Sequence, residues 1–158
     1  MPTLPLTGGC HCGALRYQVT AVPLGVYNCH CTNCQRVGGG AFATNVVLIP
    51  NAVKFVHGNP REIRWTSDAG NERFGRFCAD CGTRIVHGLP AGQPVLTLRS
   101  GTLDDRSWIN PVADFWTASA QPWIDFSGLR PSFEYEPTDF QPLHEAFLAQ
   151  GNFSNSRD

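Results

Sequence analysis

A chain of 158 residues with 42% hydrophobic side chains has the size and content of one domain with a core of its own. Its 12 Lys and Arg against 13 Asp and Glu leave a net charge of -1 without a basic run, which excludes a partner held by broad attraction to a nucleic-acid backbone. No apolar stretch is long enough to span a bilayer, and Met1-Pro-Thr-Leu-Pro-Leu-Thr-Gly8 lacks the basic start and apolar run of a secretory signal, so the expected setting is the reducing cytoplasm.

In chain order the sequence reads as mainly β, with Gly and Pro punctuating short runs of β-branched and aromatic residues. Candidate strands are Ala14–Val19, Phe42–Ile49, Val53–His57, Glu62–Trp65, Glu72–Phe77, Arg84–His87 and Val95–Ser100. Alternation is clearest in the last, where Val95 and Thr97 face one side and Leu96 and Leu98 the other. One short helix, Leu143–Gln150, follows Pro142. Parallel sheets need long helical crossovers, which are lacking, so the sheets are expected to be largely antiparallel, with the cysteines at turns between strands. Residues 4–137 form the expected zinc-binding domain, and 138–158 an extension with the short helix and a polar tail, Asn152–Asp158, that frays.

Seven cysteines fall in three clusters: Cys10-His-Cys12, Cys29-His-Cys31-Thr-Asn-Cys34 and Cys78-Ala-Asp-Cys81. An odd count in a reducing compartment favours metal over disulfides, and a single thioredoxin-like Cys-x-x-Cys would leave five cysteines unexplained. Four plus three are the ligand counts of a closed zinc site and of one with an open position. Cys78 and Cys81, followed by Gly82, have the spacing of a zinc knuckle, and Cys10 and Cys12, followed by Gly13, are its natural partners in a structural site. That leaves Cys29, Cys31 and Cys34 for a second zinc. Three thiolates on Zn²⁺ sum to about -1, a weak Lewis acid better suited to holding a soft ligand such as a thiol than to activating water. The alternative at this site is a second structural zinc with His30 or another side chain as fourth ligand.

The strings Gly9-Cys-His-Cys-Gly13-Ala-Leu-Arg-Tyr17, Cys29-His-Cys31-Thr-Asn-Cys34-Gln-Arg36 with Gly38–Gly40 and Ala41-Phe42 after it, and Phe77-Cys-Ala-Asp-Cys81-Gly-Thr83 resemble the glutathione-dependent formaldehyde-activating enzyme (GFA) family, also called the centromere protein V family. Gly101-Thr-Leu-Asp104-Asp105 and Gln121-Pro-Trp123 look like its downstream motifs, so the resemblance runs from about Gly8 to Trp123. It implies a β-tent fold, a structural zinc on the first and third clusters, and a second zinc on the middle one. It also implies a carbon–sulfur lyase-type reaction that joins glutathione to formaldehyde as S-(hydroxymethyl)glutathione, the glutathione thiol taking the open position. Where many relatives carry a histidine ahead of the aromatic residue, this chain has Asp114-Phe-Trp116, a departure expected to bear on the substrate more than on the metal.

Arg36 and Trp116 are the candidate substrate-pocket residues, against the plainer readings of a solvated charge and a core aromatic. Trp123 carries the same two readings as Trp116. His11 and His30 sit between ligands, so their rings are expected to point away from the metals; His87 reads as a structural polar residue, and Asp104 and Asp105 as turn carboxylates. Gly38–Gly40 lacks the lysine of a phosphate loop. The expected partner is a small thiol or thiol–aldehyde adduct, with no nucleic acid and no membrane; monomer and homodimer are both open. Rival functions are a noncatalytic zinc-binding interaction module and a thiol-based zinc or redox sensor.

Overall fold

The computed structural model describes residues 2–67, 70–89, 94–128 and 130–153. Among the described residues eleven strands form two sheets. The smaller has the order β1-β2-β5, from Leu6–Gly9 (β1), Arg16–Val19 (β2) and Val53–His57 (β5). The larger is built from Gly25–Cys29 (β3), Ala43–Leu48 (β4), Arg61–Thr66 (β6), Glu72–Phe77 (β7), Arg84–Gly88 (β8), Leu96–Arg99 (β9), Ala113–Phe115 (β10) and Ser132–Phe133 (β11). Its order is β11-β10-β3-β4-β9-β8-β7-β6. Among the described residues every pairing is antiparallel except those of β10 with β3 and with β11. The chain is mainly β, as expected.

Tyr17 and Val19 of β2, Val46 and Leu48 of β4, and Leu98 of β9 are buried in one hydrophobic cluster that joins the two sheets. Tyr17 lies under Gly8, where an added Cβ would meet its hydroxyl at 2.3 Å, and that hydroxyl is 2.8 Å from Thr102 Oγ1. The glycine is therefore required by close approach, and it hid β1 from a reading based on β-branched residues.

Two α-helices among the described residues pack against the large sheet. Thr32–Gly38 (α1) follows β3 directly, and Gln141–Ala149 (α2) lies near the C-terminus, starting two residues ahead of the expected helix. Leu143 and Phe147 of α2 join the same cluster, and Trp108, Phe147 and Phe153 pack edge to face or tilted at 5.1–6.5 Å. Asn152 Nδ2 donates to the Trp108 carbonyl at 3.2 Å. The expected fraying therefore does not begin at Asn152: residues 152 and 153 are anchored by that bond and by aromatic burial, while 154–158 lie outside the described residues. No helix among the described residues is long and apolar enough to cross a membrane.

Candidate metal centres and the cavity between the helices

The first and third cysteine clusters meet. The ligand sulfurs of Cys10, Cys12, Cys78 and Cys81 lie within 4.8 Å of one another, with Cys10–Cys12 at 3.6 Å and Cys12–Cys78 at 3.8 Å. Each arm is a knuckle of the same design. The Cys10 amide donates to the Leu15 carbonyl and the Gly13 amide back to Cys10; the Cys78 amide donates to the Thr83 carbonyl and the Gly82 amide back to Cys78. Both turns close through a left-handed glycine, Gly13 at φ 83° and Gly82 at φ 75°, a conformation costly for any residue with a Cβ. Hydrogen bonds from the Thr83 hydroxyl and backbone hold the Cys81 thiol down to about 5, so this arm presents thiolate. Four soft donors in one cluster fit a closed tetrahedral zinc.

The middle cluster forms separately and is not confined to a turn. Cys29 ends β3, Cys31 caps α1 and Cys34 is the buried residue of that helix. Their sulfurs also lie within 4.8 Å of one another. Hydrogen bonds from Cys29 and Cys31, with the Arg99 charge, hold the Cys34 thiol far below its usual range, while Cys29, a donor to its neighbours and buried, is driven up. One thiolate shared by two thiols is the arrangement a divalent ion would complete by displacing protons. The three sulfurs fit a soft metal, and the described residues bring no fourth His, Cys, Asp or Glu into the group.

This cluster is fixed from behind. The His30 amide donates to the Phe115 carbonyl at 2.9 Å, and its carbonyl accepts from Gln35 Nε2 at 2.6 Å. Gln35 also donates to the Ser119 carbonyl and accepts from Gln121 Nε2, each at 2.8 Å. The His30 ring is buried between Phe42 and Phe126, with Nε2 2.9 Å from Asp114 Oδ1. Asn28 and Arg130 donate to the same carboxylate.

In front of it is a cavity of about 630 Å³ lined by Cys29, Cys31 and Cys34. Tyr27, Thr97, Arg99, Arg84 and His87 extend its wall across the large sheet, Trp65 and Arg73 lie toward the edge, and α2 contributes Leu143 and His144. The volume is that of a small-molecule site. His87 is pushed down to about 3 by desolvation and by the charges of Arg99, Arg84 and Arg73, so its imidazole is neutral at pH 7. The four-cysteine cluster does not line this cavity.

The model of the glutathione-dependent formaldehyde-activating enzyme family matches residues 5–119, the stretch that carries all seven cysteines. The chain belongs to this family. A Halomonas elongata protein bearing the family's name is 31% identical over 81 residues, covering 47% of this chain; the chain spans about half of that relative, 52%. A Rhodobacter sphaeroides protein of known crystal structure superposes with a TM-score of 0.49 at 17% identity, over 80% of this chain and 99% of that one.

Within this GFA-family chain the two cysteine groups come together as the sequence partitioned them. Trp116 lines the cavity, its backbone held in the left-handed region at φ 62° and its ring edge-on to Tyr135 at 5.5 Å. Arg36 is exposed on α1 and is not among the cavity residues, and Trp123 is neither wall nor core, being 72% exposed. His11 is exposed, and His30 turns its ring to Asp114. Asp104 is an ion-pair partner of Arg16 as well as a hydrogen-bond acceptor from Thr7, more than a turn residue; Asp105 caps Ser107 as a turn carboxylate does. Asp114, where the chain departs from the family pattern, bonds to the buried His30 ring and is not among the cavity-lining residues. Arg73, Arg84 and Arg99 escaped the sequence reading, since nothing local distinguishes them from solvated charges. His87, read as structural, lines the cavity with them.

Proposed function

We propose that this GFA-family protein is a zinc-dependent carbon–sulfur lyase-type enzyme that adds the thiol of glutathione to formaldehyde. The observation that supports this most is the placement of a three-cysteine cluster at the wall of a small-molecule cavity, while the four-cysteine cluster stands apart. Cys29, Cys31 and Cys34 would hold the reactive zinc, and Cys10, Cys12, Cys78 and Cys81 a structural one. A zinc with three sulfur ligands supplies an open position that favours the thiolate of an incoming thiol.

In the reaction a bond forms from the glutathione sulfur to the formaldehyde carbon, the carbonyl π bond breaks, and the thiol proton ends on the new hydroxyl. The chain orients the site. Arg99 Nη1, 3.5 Å from Cys34 Sγ and bonded to Asn45 Oδ1 at 3.1 Å, offsets the charge of the sulfur cluster. Neutral His87 offers a hydrogen-bonding nitrogen on the same wall, and Trp116, Tyr27 and Phe115 give the cavity aromatic surface. Both clusters require reduced thiols, which suits the cytoplasm.

The test is exchange spectroscopy with ¹³C-formaldehyde and glutathione, because this adduct also forms without a catalyst. Zinc-loaded wild type is expected to raise the exchange rate well above background. The triple variant Cys29→Ser/Cys31→Ser/Cys34→Ser should fold, keep one zinc of two and return the rate to background. A fully loaded wild type no faster than buffer would end the proposal and favour a noncatalytic zinc module.

A further inference from the structure

Three guanidinium groups and one carboxylate line the cavity among the described residues: Arg73, Arg84 and Arg99 against Glu136. Two of the arginines have company. Arg73 approaches Glu136 at 4.0 Å, and Arg99 is bonded to Asn45 and Cys34. Arg84 has no acidic partner among the described residues. Its guanidinium lies over the Trp65 ring at 5.3 Å, and its buried Nε has no acceptor.

This placement is built into the sheet. Arg84 and His87 are three positions apart, a spacing that puts side chains on opposite faces of a regular strand, yet both line the cavity. The register of β8 on β7 shifts between Arg76 and Phe77, so one residue bulges and Arg84 comes round to the face of His87. Gly75, paired with His87, leaves the space: a Cβ there would stand 2.2 Å from Arg84 Nη1. A cation that is half desolvated and stacked, with an unfilled donor, is arranged for an anion that arrives with a ligand.

We propose that Arg84, assisted by Arg73, is an anion subsite that takes a carboxylate of the thiol substrate, so the enzyme selects carboxylate-bearing thiols over neutral ones. This rests on the reading that the cavity receives a thiol. Planar Arg suits a carboxylate because its donors form two parallel hydrogen bonds.

Calorimetric titration of the zinc-loaded full chain separates the two ideas with three probes: glutathione, its diethyl ester, which keeps the thiol and loses both carboxylates, and S-methylglutathione, which keeps the carboxylates and loses the thiol. Glutathione is expected to bind about tenfold or more tightly than the diester. Arg84→Gln should weaken glutathione and S-methylglutathione by about that factor and leave the diester unchanged. Should Arg84→Gln fail to fold, Arg73→Gln and the wild-type probe comparison still decide. Equal affinity of wild type for glutathione and the diester, no binding of S-methylglutathione, or an equal loss for all probes in Arg84→Gln would overturn the subsite. S-methylglutathione binding as tightly as glutathione, with the Arg84 effect intact, would keep the subsite and remove the thiol reading.

Discussion

Asp114 carries more contacts than any other carboxylate near the site. Burial acts to raise its pKa, but hydrogen bonds from His30, Arg130 and Asn28 outweigh this and hold it below the usual carboxylate range. Asp114→Ala would leave a buried imidazole and a guanidinium without their acceptor. The expected loss is about 3 kcal/mol of unfolding free energy in urea, with Asp114→Asn recovering part of it. The exposed pair Arg16–Asp104 behaves differently. Hydrogen bonds from Arg16 and Thr7 depress Asp104 from 3.8, so its contribution is complete above that value and is lost as pH falls through the lowered pKa. Both side chains are about two-fifths exposed, at 40% and 45%, and screening limits the pair to under about 1 kcal/mol. Thermal melts of wild type and Asp104→Asn should therefore differ slightly at pH 7 and converge as the pH falls below the lowered pKa of Asp104. At this scale the grouping of the cysteines was legible, because their spacing is local: Cys29, Cys31 and Cys34 sit within six positions. Asp114 was not, because its partner His30 is 84 positions away.

The element that presents the middle cluster is a helix of seven residues, too short to show periodicity, with Cys34 as its one buried position. It stays in place through its ends. Cys31 Sγ accepts from the Cys34 amide at 3.4 Å, and Gln35 ties the helix to His30 and Ser119. Gln35→Ala should lower zinc affinity at the middle cluster about tenfold in a chelator competition while leaving the four-cysteine site loaded. Gly75→Ala separates packing from recognition on β7. Its Cβ meets the flexible end of Arg84, so unfolding free energy should change by less than about 1 kcal/mol while S-methylglutathione binding falls. A nearly unchanged affinity would show that Arg84 reaches the anion from another position. Strands β2 and β4 to β9 were readable from their runs of β-branched and aromatic residues, whereas β3 was missed. The three-residue β10 and two-residue β11 were too short to signal, and the bulge that turns Arg84 inward depends on a neighbouring strand.

Across the molecule, the four-cysteine cluster links two turns more than sixty positions apart, at Cys10–Cys12 and Cys78–Cys81. Metal there would tie the N-terminal hairpin of the small sheet to the far part of the large one. Cys12→Ser/Cys81→Ser should therefore unfold cooperatively at a much lower temperature, with a loss of about 3 kcal/mol or more, whereas the middle-cluster triple variant should melt near the wild type. A mild result from the first variant would assign the link to the hydrophobic core instead. The general β character was legible because it follows from composition and alternation, whereas the strand order that wraps one cavity depends on contacts between distant segments. The same difference in sequence separation sets an order of events during synthesis. The three thiols of residues 29–34 emerge together and can capture an ion before most of the sheet exists, while the other four cannot assemble until Cys81 has left the ribosome. On the proposed zinc assignment, a nascent chain short of zinc would therefore fill its three-cysteine group first and its four-cysteine group second.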